Sequence, residues 1–101
     1  MTANEAVQRL IEEDRRLVVL KLLHEDGDYS LNERLLRKAL KVWGHGCTDT
    51  EVRRLLDWLE ANLAVRIDRE EIWIAVLTRL GAQHVEGDTL IKGVARPGPE
   101  S

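Results

Sequence analysis

Seven side chains in two neighbouring segments have the chemistry to grip a polyanion. Arg34, Arg37, Lys38 and Lys41 recur at helical spacing, with Glu33 the only acid among them. Thr50, Arg53 and Arg54 follow on the next helical segment. Arginines in a DNA major groove pair with guanine in a bidentate way, and lysines neutralise the phosphate backbone. The expected roles are base contact for Thr50, Arg53 and Arg54, and backbone contact for Arg34, Arg37, Lys38 and Lys41. The same pattern also suits a solvated face with Glu/Arg pairs at helical spacing. Charge balance leaves both open. Asp49, Glu51, Asp57 and Glu60 outnumber Arg53 and Arg54, while Asp68, Glu70 and Glu71 outnumber Arg66 and Arg69. The chain as a whole carries −3, so any nucleic-acid binding has to come from a local patch.

Other chemistry is thinner. His45 and Cys47 stand two apart, a spacing compatible with two ligands on one metal, but a stable zinc site wants three or four protein ligands. His24 and His84 are distant in sequence, so no metal is expected. Cys47 reads as a buried turn cysteine and His45 as a capping residue. No nucleophile elbow, glycine-rich phosphate loop or isolated carboxylate pair stands out, which argues against an enzyme, a catalytic residue or a cofactor. Trp43, Trp58 and Trp73 lie beside leucines at helical or strand spacing and read as core, with Trp58 at the edge of its stripe.

These side chains need elements to position them. A first helix is expected from about Ala3 to Glu25. Within it Leu17-Val18-Val19-Leu20 is apolar all round, which calls for cover on several sides. Ser30-Leu31-Asn32-Glu33 and Thr48-Asp49-Thr50-Glu51 both match the S/T-x-x-E capping box. They place a second helix at about Leu31–Trp43, with Leu31, Leu35, Leu36, Ala39, Leu40 and Trp43 on its core face. A third helix follows at about Asp49–Asn62. The apolar period then changes from helical to alternating through 63–67 and 72–77, a two-stranded hairpin. Thr78 can cap a last short helix ending near Gly87. Helix, helix, helix, wing, helix is the order of a winged helix-turn-helix, mainly α with a small β-hairpin. The expected division is one domain over 1–88 and a flexible tail over 89–101, where Gly93, Pro97, Gly98 and Pro99 interrupt any regular element.

No apolar run is long enough to span a bilayer, and the first nine residues lack a signal-peptide core. A single cysteine allows no internal disulfide and fits a reducing cytoplasm. No membrane association and no small-molecule effector are expected.

Several stretches resemble a family of small winged-helix proteins from Mu-like prophages: Glu12-Glu13-Asp14-Arg15-Arg16-Leu17-Val18, Tyr29-Ser30-Leu31-Asn32-Glu33, Gly44-His45, Val52-Arg53 with Trp58-Leu59, and the closing Gly93-Val94-Ala95-Arg96-Pro97. Members of that family are often labelled ArsR-like transcriptional regulators. The resemblance implies a DNA-binding regulator of phage or prophage origin in a bacterial cytoplasm. The cysteine pair of metal-sensing ArsR proteins has no counterpart, because Cys47 stands alone. The alternative is a winged-helix protein-interaction module that binds no DNA.

The apolar first helix and two-faced hairpin further predict a homodimer, since one small chain has too much apolar surface to leave wet. Light scattering after size exclusion should therefore return twice the 11.6 kDa chain mass at micromolar concentration, and a monomer mass would refute it.

Overall fold

Side-chain caps set most of the helix starts. The computed structural model describes residues 2–98. Helix α1 spans Ala3–Glu25 and opens on a reciprocal box between Thr2 and Glu5. Thr48 and Glu51 form the same box at the start of α3, Asp49–Ala61. Thr78 accepts from the Gly81 N–H to start α4, Arg79–Glu86.

The box expected at Ser30 does not form. Ser30–Asn32 is a short strand, β1, and α2 runs Glu33–Val42 with Asn32 as its cap. The reason is sheet pairing. Ser30, Leu31 and Asn32 lie opposite Val76, Ala75 and Ile74 of β3, so their backbone groups join a ladder instead of a helix end. The hairpin of β2 (Val65–Arg69) and β3 (Trp73–Leu77) thus becomes a three-stranded antiparallel sheet in the order β1-β3-β2. A central position explains why β3 is apolar on both faces.

The core is drawn from every part of this α+β domain of four helices and three strands. Leu17, Val18, Val19, Leu20 and Leu23 of α1 meet Leu36 and Leu40 of α2 and Val52, Leu56 and Leu59 of α3. The all-round apolar run of α1 is therefore covered within the chain. Two residues expected on the core face of α2 are not there: Leu35 is 50% exposed and Trp43 is 60% exposed. Leu36 and Leu40, four apart, define the buried stripe, and Leu35 lies one step around the helix from it. Trp43 falls at the C-cap, where Gly44 at φ 84° turns the chain away from the core.

Residues 91–95, placed in a flexible tail by composition, dock onto the helices. His84 is fully buried; its Nδ1 accepts from the Ile91 N–H and its Nε2 faces the Ala95 carbonyl, both at 2.9 Å. The Ala95 N–H donates to the Glu13 carbonyl at 3.1 Å, and Val94 is buried. Gly93 sits at φ 94° with its α-carbon against Trp58, so that a Cβ there would lie 2.6 Å from the indole. Pro99, also assigned to the tail, lies outside the described residues.

Helix α3 ends in a Schellman turn in which Ala64 N–H reaches Leu59 and Leu63 N–H reaches Glu60, both 2.9 Å. The residue in the left-handed position is Leu63, at φ 63° and 69% exposed. A β-carbon in that conformation costs about 1–2 kcal/mol. Leu63→Gly should accordingly raise stability by roughly 0.5–1 kcal/mol after the added unfolded-state entropy is subtracted. Urea denaturation measures this, and a destabilised variant would show that the Leu63 side chain is needed.

Candidate nucleic-acid interface

The burial of Leu36 and Leu40 fixes the phase of α2 and leaves Arg34, Arg37, Lys38 and Lys41 all exposed. Arg37 pairs with Asp49 across the α2–α3 turn at 3.1 Å, both in solvent. Arg34, Lys38 and Lys41 have no ion pair among the described residues. This row can meet phosphates at little desolvation cost.

On α3 the three expected base-contact residues separate. Arg53 turns toward the hairpin, where its Nε and Nη2 each donate to one oxygen of Glu33 at 2.8 Å. Its guanidinium also lies over Trp73, 4.4 Å from the ring centre, and reaches the Glu71 carbonyl at 3.3 Å. Glu33 additionally accepts from the Trp73 backbone N–H at 2.6 Å. Thr50 is exposed near the same recess. Arg54 takes the opposite flank and faces α1, where it shares a cavity of about 260 Å³ with Arg15 and Arg16. Arg16 is stacked on Trp58 at 3.9 Å and donates to the Gly93 carbonyl at 2.8 Å.

The hairpin side is electrostatically closed. Arg69 holds Asp57 at 2.6 Å and Glu60 at 2.7 Å while lying over Trp73, and Arg66 pairs with Asp68 at 2.7 Å. Glu70 and Glu71 remain exposed at the tip. On the other side, a groove lined by Arg37, Lys38 and Lys41 meets the Arg15–Arg16–Arg54 cavity at shared residues, Cys47 and Glu51. The cations of α1, α2 and α3 thus form one band across the first turn of α3.

Protonation follows these contacts. Arg53's hydrogen bonds hold the Glu33 carboxyl below the ordinary value of 4.5 against the opposing effect of burial, with help from the Trp73 N–H. Glu60 is lowered chiefly by Arg69. Glu51 is lowered first by the Thr48 N–H and hydroxyl of its capping box, with Arg15 and Arg54 adding a smaller pull. Burial pushes the Cys47 thiol up, and Arg15 only partly offsets it. A raised thiol that donates to the His45 carbonyl is a poor nucleophile. The His45 Nε2 faces Asp14 at 2.6 Å.

Sequence reasoning missed Glu33 as the partner of Arg53, because S-x-x-E spacing assigned it to a cap. It also missed Arg15 and Arg16, which stand behind three acids in Glu12-Glu13-Asp14. Their only signal was helical phase, which sets Arg15 three and four residues before the buried Val18 and Val19.

Two relatives bear on this arrangement. The chain is 32% identical over 96 residues to gp26 of Escherichia phage Mu, named as an uncharacterized protein, covering 94% of this chain and 99% of the phage protein. An uncharacterized protein of Haemophilus influenzae is 40% identical over 62 residues, 61% of this chain and 60% of that protein. No family model matches, and no solved structure matches.

The Glu33 contacts yield a pH-dependent prediction. A carboxylate whose folded pKa is depressed contributes stability that is present above its unfolded pKa and lost as pH falls through the folded one. Glu33→Gln should cost about 1–3 kcal/mol at neutral pH. The gap to wild type should close as pH drops below 4.5 toward the lowered folded value. Denaturation midpoints across that range check it; a gap independent of pH would mean that the side chain acts through packing alone.

Proposed function

The chain belongs to the family of the phage Mu protein gp26, and we propose that it is a winged helix-turn-helix protein that binds duplex DNA. It acts as a transcriptional regulator in the bacterial cytoplasm, as a homodimer, with no catalytic step. The order helix, strand, helix, helix, hairpin supports the winged-helix assignment. The observation that carries DNA binding is the cationic band across the start of α3, opposite a hairpin whose arginines are already paired.

Duplex approaches from the α2 side of α3 rather than from the hairpin tip, where Glu70 and Glu71 would repel phosphate. Arg34, Lys38 and Lys41 meet the backbone, and Arg37 joins them on releasing Asp49. Thr50 and Arg54 face the bases. Arg53, its fork filled by Glu33, reaches a base only by giving up that carboxylate, and otherwise it positions α3. The homodimer doubles the band; its contact surface draws on Val7 and Leu10 of α1, which stay exposed after the core is formed. One observation favours the alternative of a protein-interaction module: Leu35, Val42 and Trp43 present apolar surface on α2 beside the basic row.

Fluorescence anisotropy on random duplex, repeated across salt, tests the proposal. Lys38→Ala and Lys41→Ala should each weaken all sequences alike and reduce the salt slope by about one. Arg54→Ala should cost about 1–3 kcal/mol and relax sequence preference. Absence of wild-type binding at low ionic strength and concentrations on the order of tens of micromolar would replace the regulator with the interaction module, since non-specific affinity for DNA normally falls in that range or better.

A further inference from the structure

We propose that the cavity between α1 and α3 is a binding site for a phosphate group, held by Arg15, Arg54 and Arg16. It deepens the DNA-binding function if the phosphate belongs to a nucleic-acid backbone, Arg54 then serving the backbone in place of a base, and goes beyond it if the ligand is free phosphate.

Arg15 is the key observation. Its Nε is buried and has no hydrogen-bond partner, alone among the buried side-chain nitrogens and oxygens of the described residues. Buried donors are almost always satisfied, so Arg15 is a side chain with unused hydrogen-bonding capacity, and it lines the cavity. Four other guanidiniums of this chain are paired with acids: Arg37 with Asp49, Arg53 with Glu33, Arg66 with Asp68, and Arg69 with Asp57 and Glu60. Among the described residues Arg15 and Arg54 form no ion pair, although Glu12 and Glu51 line the same cavity and both arginines exert a minor pull on Glu51. Glu51 spends one oxygen, Oε1, on the Thr48 N–H at 2.8 Å. Arg16 is preorganised by Trp58 and the Gly93 carbonyl, which fixes one wall.

Three guanidinium side chains from two helices line this one cavity, and a tetrahedral oxyanion accepts from several directions at once. The volume of about 260 Å³ admits such an ion with waters, each occupying about 30 Å³ in the liquid. Because Arg16 lies on Trp58, occupancy should be visible in indole fluorescence.

The test is a titration of the full chain with inorganic phosphate, with sodium chloride at matched ionic strength as the control. The readouts are the arginine Nε–H resonances and Trp58 fluorescence. Saturable shifts of the Arg15 and Arg54 signals are expected with phosphate and not with chloride. Arg15→Gln and Arg54→Gln should each weaken phosphate binding at least tenfold, and Arg15→Lys, which keeps the charge but loses the fork, should fall between. No saturable shift, or the same shift with chloride, overturns the site. Duplex titration of Arg15→Gln then identifies the source: weakened duplex binding marks a backbone phosphate, and unchanged duplex binding marks a free one. A chain that binds phosphate but no duplex retains this site while the regulator function fails; one that binds duplex but no phosphate does the reverse.

Discussion

The arrangement of α2, α3 and the hairpin depends on one carboxylate. Glu33, only 11% exposed, sits in the first turn of α2, accepts from Nε and Nη2 of Arg53 on α3, and accepts from the Trp73 N–H of β3. Three elements that share little sequence proximity are thereby tied at one point. Arg53 is itself partly in solvent, so screening limits the net energy of the pair. Its larger consequence is geometric: a bidentate fork and a ring stack allow few orientations of α3 relative to the sheet.

That tie also decides where charge is available. Arg53 and Arg69 both lie over Trp73, and both spend their charge on Glu33, Asp57 and Glu60. The hairpin side of α3 becomes a neutralised, structural surface. Exposed cations collect instead on α2 and on the flank of α3 that faces α1. A protein with a net charge of −3 can thus carry a local positive band, because the six cations lining the two joined grooves outnumber the acids there, Glu12 and Glu51.

The C-terminal segment completes the same flank. His84 offers an acceptor to Ile91 and faces the Ala95 carbonyl, holding the chain against α1 and α4. This brings Gly93 onto Trp58 and its carbonyl onto Arg16. Arg16 is therefore aimed by a residue 77 positions away. With this cover and the helices around it, the apolar run of α1 is buried inside one chain, and Val7 and Leu10 are left as the exposed large apolar side chains of that helix.

The sequence by itself determined the elements that depend on local chemistry. The bounds of α1, the Thr48–Glu51 box, the Thr78 cap and the hairpin all follow from capping types and apolar period, which act over three or four residues. Its errors share a cause. Ser30 is a strand residue because β3, more than forty positions on, offers it a ladder, and no local signal outweighs that pairing. Glu33 left its expected cap for Arg53 and Trp73 for the same reason. Of the candidate site, the basic row of α2 was legible because a single helix face displays it. The separation of Arg53 from Arg54, the recruitment of Arg15 and Arg16, and the docking of residues 91–95 were decided only by tertiary structure. Each depends on which groups from distant segments are brought within a few ångströms, where hydrogen bonding and burial override local preference.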